Sequence, residues 1–226
     1  MLDTTLIYYS SNREKPEFEE RIRNEIIKNS GGLPIISVTQ KPIDFGENIL
    51  VGDVGASGFN MFRQVQIACR KATTRFVTSI EADCVYPPDY FTWEPPKDNV
   101  CYRDKNLYVM GQHRKYFYYK PWGATHAQIV NREFYLNRLD FLFQGEPEWS
   151  IEQKNFPKEK TRHHQEDIFR SKDFEFYETE NPVVQIKTSQ SMRNYTASVR
   201  EPVYVLPFWG CGGDFRKKFY EIGYQH

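Results

Sequence analysis

Two places in this chain put carboxylates where they can do chemistry. The first is Glu81-Ala82-Asp83, which closes the apolar run of residues 76–80 (FVTSI) before Val85-Tyr86-Pro87-Pro88 turns the chain away. With 30 acids in 226 residues, about four such pairs two apart arise by composition alone, so position has to carry the reading. At the C-terminal edge of a parallel sheet, two carboxylates can hold a divalent cation that neutralises a diphosphate. The plainer alternative is a pair that solvates a strand end. The second place is Glu166-Asp167, within His163-His164-Gln165-Glu166-Asp167-Ile168. A carboxylate there can serve as a general base. The same two acids also suit a helix N-terminus through its dipole.

Between these places lies Trp122-Gly123-Ala124, whose indole suits the apolar face of a sugar ring as well as it suits a core. His126 reads as a hydrogen-bonded structural histidine. His163 and His164 are adjacent, so their side chains diverge and make a poor chelate. Lys187 and Arg193 can neutralise a departing diphosphate or simply be solvated. Cys69, Cys84, Cys101 and Cys211 are too far apart for a CxxC pair and read as reduced, mostly buried small hydrophobes.

The elements that must position these residues follow from periodicity. Residues 5–9 (TLIYY) form a buried strand, and Ser10, Ser11, Asn12 and Arg13 form the loop after it. Pro16 opens a helix on which Phe18, Ile22 and Ile26 recur every four residues, and Gly31-Gly32 stops it. Residues 33–38 and 49–51 are strands. Residues 58–72 place Phe62, Val65, Cys69 and Ala72 on one helical face, and residues 76–80 return as a strand. The order β-α-β-(β)-α-β is that of a parallel, nucleotide-binding half-sheet. Beyond Pro87 the alternation is lost. Strands are expected at 107–110, 116–119 and 183–186, and helices near Asn131, near Gln165 and over 214–220. A loop is expected over 146–160.

The strand order together with FVTSIEADCVYPPDYF resembles the nucleotide-sugar-dependent glycosyltransferases of the GT-A fold, especially small family-2-like enzymes of bacterial or phage type. The resemblance spans residues 1–90 and, more loosely, 121–167. It implies a single α/β domain over 1–226 with a GT-A (Rossmann-like) mixed sheet and flanking helices. Residues 1–90 would bind the nucleotide and residues 91–226 the acceptor. Asp83 would hold Mn²⁺ or Mg²⁺ against the diphosphate, with Glu81 near the ribose or the metal. Ser10, Ser11 and Arg13 would meet the nucleotide base, with Arg70 or Lys71 nearby as basic residues and Trp122 lining the sugar. Asp167, or alternatively Glu166, would be the base of an inverting transfer from a nucleoside-diphosphate sugar, with uridine diphosphate the commonest donor. A later metal-binding His of such enzymes has no counterpart in residues 185–193. The hydroxyl acceptor stays open among glycan, lipid-linked glycan and hydroxymethylated DNA.

Two other readings compete. The run Gly52-Asp53-Val54-Gly55-Ala56-Ser57-Gly58 resembles the first motif of S-adenosylmethionine-dependent methyltransferases, but two strands precede it and no βα alternation follows. A non-catalytic carbohydrate-binding module is the third, suggested by the 16% aromatic content. Thirty basic residues balance thirty acidic ones, which excludes a uniformly basic nucleic-acid binder and leaves room for a local basic patch. No apolar run nears the roughly 18–20 residues of a membrane span, and the N-terminus lacks signal-peptide features. A cytoplasmic protein without a transmembrane segment is expected.

Overall fold

The β-branched and aromatic run at the N-terminus is buried along its whole length, as a strand covered on both faces must be. It is the centre of the fold in the computed structural model, which describes residues 3–151, 168–169, 171–192 and 201–220. The strand β1 (Thr4–Ser10) leads to helix α1 (Pro16–Asn29), then β2 (Ile35–Thr39), β3 (Glu47–Leu50), α2 (Gly58–Lys71) and β4 (Phe76–Glu81). The remaining elements are β5 (Cys84–Val85), β6 (Cys101–Asp104), β7 (Leu107–Gly111), β8 (Tyr118–Lys120), β9 (Gln128–Asn131) and α3 (Arg132–Phe143). They are followed by β10 (Phe174–Tyr177), β11 (Val183–Lys187), β12 (Val205–Leu206), β13 (Gly210–Cys211) and α4 (Gly212–Phe219).

Seven strands make one sheet in the order β10-β6-β9-β4-β1-β2-β3. Strands β3, β2, β1 and β4 are parallel, and β9 runs antiparallel to both β4 and β6. The architecture is thus a mixed α/β sheet with flanking helices, as expected. The helices form for the reasons that the sequence suggests. Pro16 occupies the first turn of α1, and Phe18, Ile22 and Ile26 are at most 1% exposed, each contributing about 1.5–3 kcal/mol relative to exposure. Gly31 and Gly32 stop it at φ +63° and +78°, values that side chains resist. Ser57 caps α2 by accepting the Asn60 N–H at 3.1 Å, and Asn131 caps α3 by accepting that of Phe134 at 3.1 Å. One core layer lies under α2 and α3. The other lies on the opposite face, among α1, α4 and a second sheet of order β5-β11-β7-β8.

The second half departs from the sequence expectation. Strands β6, β9, β10, β12 and β13 are additional, and the expected strand over 116–119 is shifted to Tyr118–Lys120. In β6 the charges Arg103 and Asp104 interrupt the apolar pattern, yet both are buried. Asp104 is held by the Thr179 hydroxyl at 2.6 Å and the Asn106 N–H at 2.9 Å, and Arg103 Nε donates to Gln128 Oε1 at 3.3 Å. Two of these partners, Thr179 and Gln128, come from distant segments. The expected helix near Gln165 and residues 152–160 of the expected loop lie outside the described residues.

Candidate active site

The connections β1-β2-β3 step across the sheet in one direction, and β4 returns to pair on the other side of β1. An open sheet splays its loops apart where the strand order reverses, and ligands bind outside the carboxyl ends there. A cleft of about 690 Å³ occupies this point. It is lined by Ser10, Ser11 and Arg13 after β1, by Glu81 and Asp83 after β4, and by Trp122 before β9.

The loop after β1 is held by a short side chain in an unusual backbone conformation. Asn12 sits at φ 50°, the left-handed region that Asn tolerates better than most residues. Its Oδ1 accepts the N–H groups of Gln40 at 3.0 Å and Lys41 at 2.9 Å, and its Nδ2 donates to Glu19 Oε2 at 3.2 Å. Ser10 Oγ donates to Glu19 Oε1 at 3.0 Å and accepts the Asn12 N–H at 2.9 Å. Gln64 of α2 donates to the carbonyls of Ser10 and Val38. The ends of β1 and β2, α1 and α2 are therefore tied together at the cleft. Burial pushes the Glu19 carboxyl up, and the donors around it pull the other way.

At the end of β4, Glu81 pairs in register with Tyr9 of β1, and the Tyr9 hydroxyl donates to Glu81 Oε1 at 2.8 Å. The Glu81 backbone N–H donates to the Tyr86 hydroxyl at 2.9 Å, and that hydroxyl donates to the His126 carbonyl at 2.8 Å. Burial raises both phenols well above their ordinary value, so they stay protonated donors. Asp83 is fixed from β11: Gln185 Nε2 lies 3.2 and 3.4 Å from its two carboxylate oxygens, and its carbonyl accepts the Ile186 N–H at 2.7 Å. The Cys84 thiol donates to Asp83 Oδ1 at 3.3 Å.

The cleft carries mixed charge. Glu14, Glu19, Glu81 and Asp83 face Arg13, Lys120 and Lys187. Burial, helped by the charge of Asp83, raises the Glu14 carboxyl, while its hydrogen bond with the Thr188 hydroxyl opposes the shift. Burial, then Lys120 and Lys187, holds His126 well below the ordinary histidine value and keeps it neutral near pH 7. On the far wall Trp122 is 61% exposed, beside Phe174 and Phe176; it is a rim residue and not a core one. Gly123 is required here, since a Cβ would sit 2.6 Å from the Phe176 ring and 2.9 Å from Arg103 Cβ.

Six of the expected residues therefore meet in one cleft: Ser10, Ser11, Arg13, Glu81, Asp83 and Trp122. Lys71 does not. Helix α2 starts at the cleft with Ser57 and runs back along the sheet, so Lys71 at its end pairs with Glu47 at 2.7 Å, at the start of β3. Arg70 likewise pairs with Asp140 at 2.8 Å. The Gly-rich run follows the edge strand β3, and only Gly55, Ala56 and Ser57 of it reach the cleft. Asp167 and Glu166 lie outside the described residues. Sequence reasoning missed Tyr9, Glu14 and Glu19, whose neighbours in the chain it had singled out. It also missed Cys84 and passed His126 over, because no spacing links His126 to Glu81.

A divalent cation suits this end of the sheet. Glu81 and Asp83 supply carboxylate oxygens, and the Glu81 carboxylate, the Cys84 thiol and the His126 ring offer ligand atoms within 4.8 Å of one another. Among the described residues, no helix is long and apolar enough to cross a membrane.

Compared with known proteins, the sequence matches no family model and no curated sequence. Similar solved structures include a glycosyltransferase involved in glycosylation of the major capsid of PBCV-1, with 11% identity and a TM-score of 0.45 over 80% of this chain and 92% of that one. They also include S. aureus TarS 1-349 in complex with UDP-GlcNAc, with 10% identity and a TM-score of 0.47 over 87% of this chain. The chain spans 62% of the length of that TarS chain. The bifunctional IspDF of Campylobacter jejuni overlaps 79% of this chain and 50% of its own, at 10% identity and a TM-score of 0.39. All three fall below a TM-score of 0.5, and a reaction has to be read from the cleft itself.

Proposed function

We propose that this protein is a metal-dependent glycosyltransferase that moves a sugar from a nucleoside-diphosphate sugar, with uridine as the base, to a hydroxyl acceptor with inversion. The observation that carries the reading is the meeting of Arg13, Lys187, Glu81 and Asp83 in one cleft at the point where the strand order reverses. A diphosphate leaving group needs fixed positive charge as its bond to the sugar breaks, and Arg13 and Lys187 supply it. The loop of Ser10 and Ser11 holds the nucleoside end, and Trp122 offers its exposed face to the sugar. Glu81 and Asp83 would hold a divalent cation, which supplies further charge against the diphosphate when bound. Asp167, or Glu166 in its place, takes the acceptor hydroxyl's proton. The acceptor is a glycan, a lipid-linked glycan or a modified DNA base.

Thermal unfolding with nucleotides, nucleotide-sugars and S-adenosylhomocysteine, each with and without Mn²⁺, tests the reading. A ligand at 100 times its dissociation constant adds about 2.7 kcal/mol. Stabilisation by a uridine diphosphate with metal is the expected result, to be lost in Asp83→Asn with the fold intact. A shift with S-adenosylhomocysteine alone would overturn it in favour of a methyltransferase. Nuclear magnetic resonance of the product then reads the anomeric configuration, and retention would remove the inverting role of Asp167.

A further inference from the structure

The structure assigns a metal site to Glu81, Cys84 and His126, a mixed oxygen, sulfur and nitrogen set that selects a borderline transition ion such as Zn²⁺ over Mg²⁺. The three ligand atoms lie within 4.8 Å of one another. Donors around a four-coordinate zinc sit about 3.5 Å apart, given bond lengths of roughly 2.0–2.3 Å, so small side-chain rotations bring the set to bonding distance. Magnesium, by contrast, keeps an octahedron of oxygens.

Further observations separate this cluster from an ordinary buried group of polar side chains. His126 is 4% exposed, and its ring makes no hydrogen bond among the described residues; its hydroxyl partner Tyr86 reaches only the backbone carbonyl. The His126 ring offers a nitrogen within reach of Glu81 and Cys84 at the wall of the cleft. The surroundings also orient the ligands: Tyr9 holds Glu81 Oε1, and Tyr86 bridges the backbones of Glu81 and His126. Outer groups of this kind set the direction of metal ligands.

Glu81 and His126 both line the cleft, so the fourth position of the ion opens onto it. Three protein ligands with one open position is the arrangement of a zinc that meets a substrate. A diphosphate oxygen would take that position, and this clause alone rests on the transferase reading. Binding displaces the Cys84 thiol proton, which passes by way of Asp83 Oδ1, 3.3 Å away, to solvent in the cleft that Asp83 lines.

The test uses the full chain carrying Cys211→Ser, which removes the exposed thiol, and titrates it with Co²⁺ in the absence of nucleotide. One equivalent should raise an intense near-ultraviolet thiolate-to-cobalt absorption, which one equivalent of Zn²⁺ abolishes. Cys84→Ala should lose the band, and His126→Gln should weaken Co²⁺ binding by about 100-fold or more, at least what loss of an outer partner costs. X-ray absorption at the cobalt edge of the protein with Cys84 and His126 intact needs no ligand variant to fold, and should read one sulfur among the ligands. A band that survives Cys84→Ala, or bound cobalt with oxygen and nitrogen neighbours only, overturns the site. Failure to bind uridine diphosphate would sink the transferase and leave the sulfur signature untouched; absence of that signature would do the reverse.

Discussion

The loop after β1 and the stretch between β8 and β9 face the same cleft, and they are held there by opposite means. The first is tied at residues 10–12 from within the half-sheet, while Arg13 and Glu14 add bonds to Gln190 and Thr188 after β11. Asn12, Ser10 and Glu19 bond to one another within ten residues, and the ties to Gln40, Lys41 and Gln64 come from the adjoining strand and helix. The second is tied across the molecule. Gly123 is wedged between Phe176 and Arg103, and His126 is anchored by Tyr86 from the end of β4. The Ser10–Asn12 part of the first wall can form with the half-sheet itself. A wall assembled from distant partners requires the whole mixed sheet, including the antiparallel strand β9, to be in place.

If the second half carries the acceptor chemistry, the largest effect belongs there. Asp167→Asn should lower turnover by about 10²–10⁴-fold, the usual contribution of a positioned base, while the thermal shift with uridine diphosphate stays as it was. Should Glu166→Gln have that effect instead, the base moves by one residue; should both be silent, the division of labour between the halves fails.

The two walls can next be broken separately. Gly123→Ala forces a Cβ against the Phe176 ring and Arg103 and should cost about 1–3 kcal/mol in urea unfolding, as overpacking does. Asn12→Ala leaves the Gln40 and Lys41 N–H groups without their partner and places Ala at φ 50°. It should cost a similar amount, about 1–3 kcal/mol, for the lost bonds, and it should also weaken nucleotide binding. Equal losses of nucleotide binding in the two variants would contradict the separation of the walls.

Glu19 gives a pH-dependent test of the first wall. Folding raises its carboxyl above the ordinary value of 4.5, so the folded chain binds that proton more tightly than the unfolded chain. The stability that this contributes is fully present below pH 4.5 and is lost as pH rises through the folded value. Glu19→Gln removes the loss. Its stability relative to the parent, from urea unfolding at pH 4 to 7, should therefore climb with pH, whatever constant offset the changed hydrogen bonds add. A flat difference would show that the burial of Glu19 costs the fold nothing. The smallest effect is expected at Lys71, whose half-exposed pair with Glu47 is worth about 1 kcal/mol at most. Lys71→Ala should leave nucleotide binding unchanged.

How much of this was legible in the sequence divides along the same line. The strands and helices of the first half could be read because each buries a regular stripe: Phe18, Ile22 and Ile26 on α1, and Phe62, Val65 and Cys69 on α2. The placement of Glu81 and Asp83 at the cleft was legible too, since a parallel strand that follows a helix must end at the edge where the loops gather. Lys71 sits away from the cleft because proximity in sequence to the motif says nothing about which end of a helix faces the cleft. β6 stayed hidden because its buried charges are bonded by Thr179, Asn106 and Gln128, which periodicity does not reveal. The sequence by itself determined the half-sheet and the chemical types at its edge, for these depend on burial patterns a few residues long. Only the tertiary structure decided which side chains share a site. Glu81 and Cys84 meet His126 because β9 enters the sheet antiparallel beside β4 and Tyr86 bonds across the gap. Such a meeting depends on strand order and direction, which no local spacing encodes.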